Sequence, residues 1–326
     1  MTLITHHLAF NATVVTPLLL DDQAGSSIRG AVVNGLLDKF CVNKALPTCT
    51  DCPLLRVCPV ATLVAPMRED GEGSRGQLPR PYVVRPPAGE RRQFEPGETL
   101  TFGMGLIGPV AQLFPYVFMA AQEIERSGLG RRLPQNNGRR GGLRIDSIAA
   151  VNLLSDAQQP LFQRGSPNVQ LPGLPIAPSD VTAHAATLPA DRLTLRFHTP
   201  LRLTVKRDGR PSLVHQFDLG IFFARLAWRL DQLAEAYGAG EAISNYQTLP
   251  TLVERVRVVN DSTRWIDVVS YSSRTRLRTP IGGLVGTITL EGDLAPLREL
   301  LVWGSLIHVG KNAVKGDGWY TIASSL

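Results

Sequence analysis

The chain has 326 residues, 44% of them hydrophobic and 19% charged, with 34 Lys plus Arg against 28 Asp plus Glu, a formal net charge of +6 and a pI near 9.4. That length builds one large domain or two ordinary ones. No run of 18 or more apolar residues occurs, which excludes a transmembrane helix, and MTLITHHLAF lacks a basic start followed by an apolar block, so a cytoplasmic protein is expected.

In chain order, Leu3 to Leu20 is rich in β-branched and apolar residues and reads as a strand. Ser26 or Ser27 can start a helix with Ile28, Val32, Leu36 and Leu37 on one face. The stretch from Arg68 to Glu98 is rich in Gly, Pro and charge and reads as loop, with a short strand at Tyr82 to Arg85. A strand over Thr99 to Gly108, a helix over Val110 to Arg126 stopped by Gly128, and a strand over Arg144 to Leu154 complete the first set. Gln158 to Pro189 is Pro-, Gly- and Ser-rich without periodicity and reads as a linker. The order then restarts: strand Arg192 to Val205, helix Val214 to Tyr237, strands Leu252 to Val259, Trp265 to Tyr271 and Leu284 to Glu291, helix Leu294 to Ile307, strand Gly318 to Ala323. Both halves therefore predict an α+β fold of two tandem ferredoxin-like βαββαβ modules of the RRM type, over residues 1–185 and 186–326.

All four cysteines fall in one window, Cys41, Cys49, Cys52 and Cys58, a small insertion over about residues 41–60 of the first module. The Cys-x2-Cys core puts two thiolates on one turn and the flanking pair can complete a tetrahedron. Zinc is the first expectation and an iron–sulfur cluster the alternative, since Pro follows Cys52 and Cys58. Four thiolates close the coordination sphere, so the metal's role would be structural.

Three further segments carry possible chemistry. Gly304 to Gly318 is a glycine-rich connection whose Gly310, Gly316 and Gly318 permit positive φ and whose N–H groups could cradle a phosphate beside Lys311 and Lys315; the alternative is a plain helix-to-strand turn. Within it His308 can move a proton near neutral pH, and Lys311 can stabilise a pentacoordinate phosphate. Tyr271 to Arg278 combines an aromatic with Arg274, Arg276 and Arg278, suited to phosphates and bases; the alternative is a solvated strand end. Arg126 to Arg144 holds six arginines, including Arg131, Arg132, Arg139 and Arg140, and no acid. It reads as a flexible hairpin able to follow a nucleic-acid backbone.

The runs Trp265 to Arg274, Ile281 to Gly286, Leu306 to Lys311 and Gly316 to Tyr320 resemble the C-terminal domain of CRISPR-associated precursor-crRNA-processing endoribonucleases of the RAMP superfamily. Ser27 to Ala31, the cysteine window and Gly128-Leu-Gly130 resemble the first half of such proteins. The resemblance implies two ferredoxin-like domains, a glycine-rich loop on RNA, and metal-independent cleavage of a CRISPR repeat, in which a 2′-OH attacks its own 3′-phosphate. It assigns His308 as acid/base, Lys311 as electrostatic stabiliser, and Tyr271 with Arg274 to positioning; the other arginines and Lys315 bind RNA. It also implies CRISPR repeat RNA and other effector subunits as partners. Departures stand at Asp21 to Phe40, which lacks the histidine many relatives carry, at Thr275 where Gln is expected, and at Lys315 and Asp317. They leave a second reading open, a catalytically silent RAMP subunit that binds crRNA.

Overall fold

The computed structural model describes residues 3–68, 76–238, 247–271 and 277–323. The chain forms two compact units, Ile4–Pro175 and Ile176–Leu326, the latter taking in Met1–Leu3.

In the first unit β1 (Thr5–Val14) is followed by α1 (Ala24–Phe40), β2 (Tyr82–Arg85), β3 (Thr99–Ile107), α2 (Phe114–Ser127), β4 (Leu143–Val151) and β5 (Gln158–Gln163). All neighbours pair antiparallel in the order β2-β3-β1-β4-β5. Leu8, Phe10, Ala12 and Val14 of β1 are buried, the period-2 pattern of a half-buried strand, and Phe10 stacks on Phe102 of β3 at 4.9 Å. The helices approach closely because Gly35 of α1 has no side chain: a Cβ there would lie 2.9 Å from the Ala120 carbonyl oxygen. Gly128 ends α2 as expected, with φ 71° and its N–H on the Ile124 carbonyl.

In the second unit α3 (Pro178–Thr187) precedes β6 (Arg192–Leu201), α4 (Leu219–Tyr237), β7 (Val256–Asp261), β8 (Arg264–Ile266), β9 (Gly283–Gly292), α5 (Arg298–Ile307) and β10 (Tyr320–Ala323). The antiparallel order is β7-β9-β6-β10, with β8 also paired to β9. Leu195 and Phe197 of β6, Phe222 and Leu226 of α4, Ile288 of β9, Leu301 of α5 and Tyr320 of β10 meet in one core. Asp218 caps α4, accepting the Ile221 N–H at 2.8 Å.

Two readings of the sequence are corrected. The supposed linker over 158–189 holds β5, a fifth sheet strand, and α3. The helix starts at Pro178, and Asp180 reaches back to accept the Ala177 N–H at 2.8 Å. The strand expected from Leu252 begins at Val256, because Leu249–Val253 forms a short helix with Pro250 in its first turn.

Candidate functional site

The glycine-rich connection after α5 is built by close backbone packing. Gly310, Gly316 and Gly318 all take positive φ, 84°, 93° and 67°. At Gly318 a Cβ would fall 1.8 Å from the Val309 carbonyl oxygen, a contact only glycine survives. Five of the loop's N–H groups are engaged. Val309 N–H donates to Gly318 O, Lys311 N–H to Arg202 O, Lys315 N–H to Asn312 O, Gly316 N–H to Ala313 O and Gly318 N–H to Pro200 O. Those five donors, among them the N–H groups of Lys311, Gly316 and Gly318, are held by backbone carbonyls and not directed at an anion.

The loop's side chains divide by exposure. Lys311 is exposed and Lys315 partly so. His308 is 0% exposed; it ends α5 with φ 62°, and its ring lies parallel to that of Trp319 at 6.5 Å. A base must come within about 3 Å of the hydroxyl it deprotonates, and a sealed imidazole does not. Asp317 is likewise fully buried. His198 also lies against Trp319, its ring tilted 32° at 4.6 Å, and bonds through Nε2 to Thr321 Oγ1 at 2.8 Å. Burial, and then the nearby Arg196 charge, hold the His198 pKa below the usual histidine value.

Of the Tyr271 to Arg278 cluster, Arg274 and Arg276 lie outside the described residues, as does the Tyr271 side chain. Tyr271 ends the strand Val269–Tyr271, which pairs with Arg278–Pro280, and Arg278 is exposed. In the first unit the arginine-rich segment is an ordered hairpin, Leu129–Leu133 with Arg139–Gly141. Gly130 seats it, for a Cβ there would lie 2.2 Å from the Leu19 carbonyl oxygen. Arg131 is neutralised by Asp21 at 2.9 Å and Asp22 at 3.5 Å, whereas Arg132 and Arg139 are exposed and Arg140 partly exposed.

The four cysteines are each partly exposed, and none forms a disulfide among the described residues. Cys49 and Cys52 form the expected turn, with Cys52 N–H on Cys49 O at 3.1 Å, and Cys52 Sγ accepts from Asn43 Nδ2 at 3.2 Å. Among the described residues no three His, Cys, Asp or Glu side chains are gathered closely enough to hold an ion. The donor chemistry suits zinc; the four are not drawn together.

The sequence reading missed the outward side of α4. It took this helix for core alone, yet Trp228 is 53% exposed. The spacing of Arg225, Trp228 and Arg229 was the available signal.

Family comparison agrees with this division. A family model described as an N-terminal domain matches residues 3–174, more than half of the chain, and that of the CRISPR-associated endoribonuclease Cas6 matches residues 195–320. The chain belongs to the CRISPR-associated repeat-processing RAMP family. Solved structures share the fold of this RAMP protein. A Cas6 product complex is 16% identical, covering 98% of this chain and 100% of that one, with a TM-score of 0.55. Thermus thermophilus Cas6 is 13% identical over 99% of each chain, at 0.52. A chain of a partial Cas6-RT-Cas1–Cas2 complex is 12% identical at 0.61, and this chain spans 46% of it. A comparison with curated proteins found no match.

Proposed function

We propose that the chain is an endoribonuclease that binds CRISPR repeat RNA and cleaves precursor crRNA into guide RNA. The carrying observation is the match of residues 195–320 to the Cas6 endoribonuclease. Each unit is read as a ferredoxin-like module, which the shared order of its first four sheet strands supports. Exposed Arg132, Arg139, Arg278 and Lys311 supply cationic contacts for the RNA backbone. Arg274, Arg276, Lys315, Arg131 and Arg140 complete the proposed set, with Arg131 the weakest member because Asp21 already holds it.

The chemistry is transesterification. The 2′-oxygen forms a bond to the adjacent phosphorus as the bond from phosphorus to the 5′-oxygen breaks. The 2′-OH proton goes to a base and the leaving oxygen gains a proton, giving a 2′,3′-cyclic phosphate and a 5′-OH. Lys311 stabilises the phosphorane charge and Tyr271 positions the phosphate. For His308 to carry a proton, RNA must first uncover its ring. His308→Ala then lowers the cleavage rate about 10²- to 10⁴-fold at unchanged RNA affinity. A fall of less than about threefold would leave His308 in the structural role its burial describes.

Cys41, Cys49, Cys52 and Cys58 are the proposed ligands of a structural zinc, or of an iron–sulfur cluster, and take no part in cleavage. Other CRISPR effector subunits are the proposed protein partners.

The test is binding at matched salt of labelled CRISPR-repeat RNA against unrelated RNA of equal length, with cleavage followed in the same tubes. Preferred binding with cleavage at one position supports the reading. Preferred binding without cleavage would make the chain a silent RAMP subunit.

A further inference from the structure

Arg225, Trp228 and Arg229 stand at i, i+3 and i+4 of α4 and share one side of it. They form one wall of a cavity of about 260 Å³. Its lining also includes Arg202, just past β6, and Gly310 with Lys311, in the loop after α5. The glycine makes this junction possible. A Cβ at Gly310 would lie 2.7 Å from the Arg202 carbonyl oxygen, the same oxygen that accepts the Lys311 N–H at 3.0 Å. The backbones of Lys311 and Arg202 are thereby held side by side.

The guanidinium groups are held by neutral backbone carbonyls. Arg202 Nη1 donates to Gly282 O at 2.7 Å. Arg225 donates twice to Thr204 O, at 3.0 and 2.6 Å. Arg229 Nε donates to Ile307 O at 3.0 Å and His308 O at 3.1 Å. Among the described residues no carboxylate lines the cavity, and four cationic side chains do. Arg229 Nη2 is buried and, among the described residues, has no hydrogen-bond partner. Burial lowers the Arg229 pKa only to about 10, so the charge persists at neutral pH. Beside these cations Trp228 offers an exposed indole. Multivalent cation and a flat aromatic face together describe a nucleotide: the phosphate oxygens meet the first and a base stacks on the second. An acidic peptide would meet the charge but not the aromatic face.

We propose that this cavity is a nucleotide-binding subsite, with Arg202 and Lys311 on the phosphate and Trp228 under the base. That the nucleotide belongs to an RNA strand rests on the reading of the preceding subsection. A free mononucleotide shares the chemistry, so the test separates the two.

Full-length wild type, Trp228→Ala, Trp228→Phe and Lys311→Ala are titrated with CRISPR-repeat RNA, adenosine 5′-monophosphate and poly-glutamate. Trp228 is exposed, so its loss leaves the core intact. Trp228→Ala should weaken RNA binding about 5- to 100-fold, the range of one lost base stack, and Trp228→Phe should recover most of it. Lys311→Ala should reduce the slope of log affinity against log salt by about one. If wild type binds RNA and Trp228→Ala binds it within about twofold, the subsite is overturned and the RNA reading stands. If wild type binds no RNA, yet the mononucleotide quenches its tryptophan emission and fails to do so in Trp228→Ala, the RNA reading falls and the subsite stands. Silence with both probes removes both. Displacement of RNA by poly-glutamate in wild type but not in Trp228→Ala would reassign the cavity to a protein partner.

Discussion

Arg229 Nε donates to the carbonyl oxygen of His308 at 3.1 Å, tying the outward side of α4 to the residue where α5 ends. The same nitrogen reaches the Ile307 carbonyl at 3.0 Å, so one guanidinium serves two carbonyls that the helix end leaves without intrahelical partners.

Removing that tie should loosen the second unit. Arg229→Met keeps much of the aliphatic packing and deletes both bonds. An expected loss of about 2 kcal/mol, typical of charge-assisted hydrogen bonds, is read from the urea midpoint.

Gly318 and Gly138 form a matched pair of tests. Both have positive φ, 67° and 73°, but a Cβ at Gly318 strikes the Val309 carbonyl oxygen while one at Gly138 meets nothing within 4 Å. Gly318→Ala should destabilise by more than about 3 kcal/mol, from left-handed strain plus displaced backbone. Gly138→Ala should cost only about 1 to 2 kcal/mol, the strain alone. Thermal unfolding of the two variants gives the comparison.

Stability should fall with acid. Burial, then Arg196, lowers the His198 pKa, and burial lowers that of His6. The unfolded chain then binds more protons than the folded one below the usual histidine range, so stability is full above about pH 6.5 and declines as pH drops through it. Urea titrations at pH 7.5 and about pH 5.5 should show the loss, and His198→Gln should reduce it.

Metal content is read directly. A structural zinc predicts about one equivalent per chain, no visible absorption, and its loss in Cys49→Ser. A brown protein with charge-transfer bands would assign an iron–sulfur cluster instead, and metal-free protein would end the proposal.

Much of this was readable from local pattern. The β-branched, apolar run that contains β1 and the stop at Gly128 are short-range properties, and both stand as expected. What escaped depended on distant partners. Arg131 reads as a free cation until Asp21, 110 residues away, is seen to hold it. The glycines of the loop at 310–318 were evident, yet whether their neighbours' N–H groups face an anion or a carbonyl is decided by Arg202 and Pro200. His308, a polar residue among glycines, gives no local hint that Trp319 and the helix end enclose it. The helix α3 was hidden in a Pro-, Gly- and Ser-rich stretch read as a linker, in which Pro178 opens the helix.

The most direct measurement is the analysis of product ends. Purified protein is incubated with CRISPR-repeat RNA in excess EDTA and the fragments are weighed by mass spectrometry. The account predicts a single cut leaving a 2′,3′-cyclic phosphate and a 5′-OH. Intact RNA, or fragments with a 5′-phosphate and a 3′-OH, would contradict it.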